Sequence, residues 1–270
     1  ARRARRRASS GTSMPSDATH LASRERTGRS VTVSVVLIRS SRSRRAARAR
    51  SIARGWNLID AASTLLERSG GDDFTVQDVA DEAGQSLRTL YQYFASKDDL
   101  LLAVFEEAMQ AYATLVSEAV APLEAPLDRL AGALLAALRL PATATAATTR
   151  GMMRVRLRLT QVQPAQMARA QQPIADLLRD LVAEAAAARA VCATDPGGVA
   201  FLLLSLNEAT ITTRTLGSDQ GPGPTDDVQV VTFCLRGLGA AVEPGRLEAL
   251  AGELRLPAGP VSVVTPYLSS

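Results

Sequence analysis

The chain has 270 residues, 46% of them apolar, which is enough for one large domain or two smaller ones with a real core. Its net charge of +4 hides a split: residues 1–50 hold fourteen arginines against Asp17 and Glu25, a net of +12, while residues 51–270 hold 17 basic and 25 acidic groups, a net of −8. A single histidine, two distant cysteines and no run approaching a membrane span argue against a metal centre, a disulfide scaffold and a membrane protein.

Residues 1–43 form an Arg- and Ser-rich stretch with little to bury, so disorder is expected. The arginines near its start are not followed by the apolar segment and cleavage site of an export signal. Residues 31–38, VTVSVVLI, read as a strand from β-branched content, yet no partner strand is visible. Arg42, Arg44, Arg45, Arg48 and Arg50 gather before the first helix. Arginines there oppose the helix dipole, so a DNA phosphate or a narrow minor groove is a fitting partner; the bland alternative is a translated stretch without a role. Helix 1 is expected from Arg45 to Arg68, with Ile52, Trp56, Ile59, Ala62 and Leu66 as its buried stripe and Gly70–Gly71 as its stop.

Residues 75–99, TVQDVADEAGQSLRTLYQYFASKDD, are the most informative stretch. Thr75 is placed to cap a helix, with Asp78 in its first turn, and Val76, Val79, Ala80 and Ala83 mark a buried face. Gly84 stands where that helix must stop, because glycine reaches positive φ without steric cost. Ser86 caps the next helix, in which Leu87, Leu90, Tyr91 and Phe94 follow the helical period and Arg88, Thr89, Gln92 and Tyr93 point outward. Ser96 caps a third element beside Lys97, the only lysine. Two short helices with such an outer face form a helix-turn-helix suited to a major groove, where Arg forks onto guanine and Gln onto adenine. An ordinary helical corner is the competing reading, but it needs no polar and aromatic groups on its exposed face.

LIDAASTLLERSG at 58–70, FTVQDVADEAG at 74–84 and SLRTLYQYFASKDDLL at 86–101 strongly resemble the tetracycline-repressor (TetR) family of bacterial transcriptional regulators, over about sixty residues from 45 to 104. The resemblance implies that Thr75, Tyr91, Tyr93 and Lys97 meet phosphates or the groove wall, and that Gln77, Leu87, Arg88, Thr89 and Gln92 approach bases. With Ser86 and the preceding Arg44, Arg45 and Arg48 these make up the expected DNA-facing set. Gln85 departs from the family, which usually has an apolar residue there, and loosens the packing expected at the turn.

From Leu100 onward the pattern is helical, with helices expected at 97–120, 126–140, 144–161, 165–192, 196–217, 225–242 (Thr225 as a cap) and near 245–255. Met153–Leu159 alternates apolar residues with arginine, a strand signature, but without a second strand it is read as helix. Arg150, Arg154 and Arg158 then share one face, either acid-paired and solvated or an anion-binding wall for a ligand such as an acyl thioester. In the resembled family the C-terminal helices form a ligand cavity and a dimer interface, which would place 196–217 and 225–242 against their copies. Phe201, Leu202, Leu204, Leu206, Val230, Phe233, Leu235 and Leu238 offer apolar surface for that, or for an intramolecular core. Met109, Tyr112, Met152, Met153, Phe201 and Asn207 are the pocket candidates, since methionine adapts to varied ligands and Asn207 is polar inside an apolar helix. Cys192 and Cys234 are expected buried and reduced.

The expected protein is all-α: a tail at 1–43, a helix-turn-helix DNA-binding domain at 44–104, a helical ligand-binding and dimerisation domain at 105–256, and a second tail at 257–270. It is read as a cytoplasmic, nucleoid-associated homodimeric repressor that binds a palindromic double-stranded operator and a small-molecule effector, with no membrane partner and no catalytic residue, cofactor or metal. An enzyme in the C-terminal cavity competes poorly, because His20 lies in the tail and no G-x-S-x-G elbow or glycine-rich phosphate loop occurs. A nonspecific nucleic-acid binder acting through the arginine tail is the third reading, and it would lose all binding on deletion of residues 1–43.

Overall fold

The computed structural model describes residues 48, 50–217, 226–243 and 245–257. The chain divides into two units, Ala1–Ser51 and Ile52–Ser270. Of the first, Arg48 and Arg50 are helical and exposed. Arg42, Arg44, Arg45, the 31–38 stretch, Thr225 and nearly all of 257–270 lie outside the described residues.

All regular structure among the described residues of the second unit is helical. Helix α1 covers 52–69 and ends at Gly70, whose φ of 66° no side chain tolerates cheaply. A capping box starts α2, Val76–Glu82: the Thr75 hydroxyl accepts from the Asp78 N–H while the Asp78 carboxylate accepts from the Thr75 N–H at 2.7 Å. Gly84, at φ 61°, turns the chain, and Ser86 caps α3, Leu87–Tyr93. Ser96 caps α4, Lys97–Val120. There follow α5 (Pro126–Thr143), α6 (Ala146–Val162), α7 (Pro164–Ala170), α8 (Gln172–Ala187), α9 (Pro196–Leu216), α10 (Asp227–Gly237) and α11 (Arg246–Glu253).

Two apolar cores hold these helices. One joins Leu58, Ala62 and Leu66 of α1 to Val79, Leu90, Leu100 and Phe105, and is completed by Val155 and Leu159 of α6 and Met167 of α7. The other surrounds α5, which buries ten residues from Leu130 to Leu140 and is therefore apolar on every side. The later turns of α4 join that core with α8 to α11. Helix α4 is long and apolar enough to cross a membrane by length and composition, contrary to expectation; its buried residues from Leu100 to Val120 all serve the two protein cores.

Several boundaries differ from the sequence reading, each for a stated reason. Helix α5 runs through Pro141 to Thr143. Proline there removes the bond to the carbonyl four residues back, at Ala137, and the Tyr112 hydroxyl donates to that carbonyl at 2.7 Å instead. The expected helix at 165–192 is two, because Pro173 cannot donate within a continuous helix and the break falls at Gln171. It also stops early, at Ala187, where Arg189 adopts a left-handed φ of 58° and Ala190 N–H bonds Ala185 O at 2.9 Å. Helix α10 ends at Gly237, ahead of Gly239 at φ 74°. Met153–Leu159 is helical as read.

Ile52 is 53% exposed, outside the buried stripe assigned to it. Val230 and Leu235 are core, while Phe201, Leu202 and Phe233 are solvent-facing. Cys234 is buried, and burial pushes its thiol pKa up; Cys192 is exposed, against expectation, because the chain has already left α8.

Helix α6 lies hard against α1. A Cβ at Gly151 would sit 2.6 Å from Leu66 Cδ2 and 3.3 Å from the Gly70 carbonyl carbon. Gly151→Val is therefore expected to lower the unfolding free energy by about 1–3 kcal/mol through overpacking, as read by urea titration.

Candidate nucleic-acid interface and ligand cavity

The α2–α3 turn is pinned to α1 by two side-chain amides. Asn57 Nδ2 donates to Ala83 O at 2.7 Å, and Gln85 Nε2 donates to Arg54 O at 3.0 Å. Gln85 thus replaces apolar packing with a hydrogen bond, although its buried Oε1 has no partner among the described residues. Asn57 was not anticipated, since an exposed asparagine on a helix carries no local signal of a partner 26 residues away.

On α3 the inward residue is Leu90, fully buried, with Leu87, Tyr93 and Phe94 half-buried. Arg88, Tyr91 and Gln92 face solvent. Tyr91, read by periodicity as inward, is 51% exposed and stands on the rim of the short helix. Tyr93 turns back toward α1, its ring 3.4 Å from where a Gly55 Cβ would stand. Ser86 and Thr89 share a 2.8 Å hydroxyl contact within the cap. On α2, Gln77 donates to Asp81 at 2.8 Å, and the Thr75 hydroxyl donates to Asp78 at 2.8 Å. The Asp78 carboxyl is held below its usual range mainly by the Thr75 backbone N–H.

Lys97 points inward. Its Nζ donates to the carbonyl oxygens of Asp72 and, at 2.6 Å, Phe74, and lies 4.7 Å from the Phe74 ring centre. The ammonium fastens the α1–α2 loop to the start of α4.

A cavity of about 200 Å³ opens between α4, α5, α6 and α9. Met109, Tyr112, Met152, Met153 and Asn207 all line it. Phe201 does not: it is 67% exposed, because Ala200, Leu203 and Asn207 form the inward stripe of α9. The charged lining was missed. Arg156 donates to Glu208, and Gln171 donates to the other Glu208 oxygen. Burial raises the Glu208 pKa, and the Arg156 charge opposes that rise. Burial, with the nearby Glu208 charge, pushes the Tyr112 phenol above its ordinary range, so it stays a neutral donor. Arg156 was legible in principle: two residues from Arg154 and Arg158, it must lie on the opposite side of α6. Arg150, Arg154 and Arg158 are exposed and do not line the cavity. Arg158 instead pairs with Asp98 at 2.6 Å and Asp72 at 3.6 Å, as the acid-paired reading expected.

These features define a helix-turn-helix domain joined to a helical domain with an internal cavity. Residues 58–104 match the model of the tetR family of bacterial regulatory proteins. The regulator BetI of Brucella anthropi is 35% identical over 74 residues, 27% of this chain and 38% of that protein. HbdR of Aromatoleum sp. is 31% identical over 81 residues, 30% of this chain and 35% of that protein. The match thus spans little more than a third of either relative. Among solved structures, RolR in complex with the ligand resorcinol has a TM-score of 0.60 at 20% identity, covering 78% of this chain and 98% of that one. The fatty acid degradation regulator FadR of Bacillus halodurans has a TM-score of 0.56 at 19% identity, covering 68% and 96%. Those likenesses extend the shared fold across both cores.

Replacing Lys97 by methionine keeps the stem and removes both carbonyl contacts. Urea titration is expected to show a loss of about 1–3 kcal/mol; a lysine reserved for phosphate would leave stability unchanged.

Proposed function

We propose that this protein is a ligand-responsive transcriptional regulator, a repressor in its simplest form, that reads a palindromic DNA operator as a homodimer. The observation that carries the reading is the outer face of α3. Among the described residues Arg88, Tyr91 and Gln92 take no hydrogen bond or ion pair, on a short helix whose turn is fixed to α1 from two sides. Side chains without internal partners on a rigid helix are what base-edge contacts in the major groove require. Thr75, Gln77, Ser86, Leu87, Thr89 and Tyr93 border that face as supporting contacts, and Arg44, Arg45 and Arg48 add salt-sensitive phosphate attraction. Lys97 acts through the loop it holds.

The second copy would pack on Phe201 and Leu202 of α9 and Phe233 of α10, apolar side chains that are each at least 66% exposed here. Two-fold pairing sets two copies of α3 at a fixed spacing, which is how such proteins read palindromes. The effector would enter the cavity, as resorcinol is bound by RolR and stearoyl-CoA by FadR of Bacillus subtilis. A ligand that prefers one of two conformations shifts the balance between them. Helix α6 links the two ends: Met152 and Arg156 line the cavity, Gly151 abuts α1, and Arg158 holds Asp98 and Asp72. The reading involves no catalytic step and places the protein on the bacterial nucleoid in the cytoplasm.

The test selects an operator from random duplex with the wild-type protein, then measures binding of the triple variant Arg88→Ala, Thr89→Ala, Gln92→Ala by fluorescence anisotropy. Specific affinity is expected to fall at least about a hundredfold, to the nonspecific level, with the helical content and oligomeric state unchanged. Retained operator preference would refute the reading.

A further inference from the structure

Asn207 is 1% exposed, lines the cavity on α9, and has no hydrogen-bond partner for either its amide nitrogen or its amide oxygen. A buried amide with both ends unmet is costly to the empty protein. The charges beside it are, by contrast, closed: Glu208 is engaged by Arg156 and by Gln171. An anion would have to compete with Glu208 for Arg156, and a cation would have to displace that same arginine. The remaining lining is chiefly apolar, from Phe105, Leu140 and Ile211 among others. A volume of about 200 Å³ lies just above the ~150 Å³ that accommodates a benzene ring in an apolar cavity.

We infer that the cavity takes a compact, uncharged, largely apolar molecule of about one ring that presents an adjacent hydrogen-bond donor and acceptor to the Asn207 amide. The Asn207 oxygen accepts from the ligand while its nitrogen donates to it. The ligand therefore completes the protein's own unmet hydrogen bonds, and a carboxylate finds the Arg156 charge already taken up by Glu208. Arg150, Arg154 and Arg158, the anion-binding wall considered from the sequence, lie outside this cavity. The proposal rests on the regulator reading only in treating the ligand as an effector.

The test compares benzamide, benzoate at neutral pH and toluene by calorimetric titration of the full chain, alongside Asn207→Leu. Benzamide is expected to bind at least about tenfold more tightly than either of the others, and the variant to lose that preference. The ligand-free variant is also expected to melt about 2–4 °C higher, since leucine removes the unmet amide. A structural asparagine would do the reverse. Benzoate binding as tightly as benzamide, a preference that survives in the variant, a lower melting point, or no binding of any probe would each overturn the inference. Operator affinity measured in parallel separates the two claims. Operator binding without the benzamide preference defeats this one alone, and the preference without operator specificity defeats the regulator reading alone.

Discussion

The close approach of α6 to α1 is the constraint on which the rest of the structure depends. A side chain at Gly151 would force Leu66 to move, because its Cβ would stand 2.6 Å from Leu66 Cδ2 and 3.3 Å from the Gly70 carbonyl carbon. That contact brings Val155 and Leu159 into the smaller core, so the helix-turn-helix domain is not closed by its own three helices alone. It also carries Arg158 to the acids at Asp72 and Asp98, which flank the loop that Lys97 holds. Partly exposed pairs of this kind contribute little to stability singly, on the order of 0–1 kcal/mol. Their value here is geometric: the N-terminus of α4, the α1–α2 loop and one end of α6 are held as a unit.

The cavity owes its shape to departures from regular helix. Pro141 leaves the Ala137 carbonyl without its helical donor, and Tyr112 reaches across from α4 to supply one. Pro173 breaks the following helix at Gln171, which frees that side chain to bind Glu208. Tyr112 and Glu208, the cavity-lining partners of these two contacts, are thereby held in place. Asn207 is the polar group left over. A buried amide without a partner is a common sign that a group serves binding instead of folding.

Legibility in the sequence followed the range of the interaction. The caps at Thr75, Ser86 and Ser96 and the turn at Gly84 are local chemistry, and each appears where it was read. Pro141 was read as a break and Pro173 as interior to a helix, yet Pro141 lies inside α5 while α8 begins just before Pro173, so a proline alone does not tell a helix interior from a helix start. Apolar periodicity cannot tell a core face from a face awaiting a partner, so Val230 and Phe233 looked alike although one is buried and the other is 72% exposed. Phe201 and Asn207 were grouped by composition. Their separation of six residues sets them on different sides of α9, and only Asn207 faces the cavity. Lys97 was assigned to DNA by resemblance, and no local pattern reveals that two carbonyls some 25 residues earlier take its charge.

The central claim is that filling the cavity alters DNA reading through α6. Ala108→Phe places a ring in the cavity wall without any ligand. Fluorescence anisotropy on the selected operator is expected to show at least about a tenfold change in Kd relative to wild type, at unchanged oligomeric state. A folded variant whose operator Kd equals that of the wild type would contradict the account.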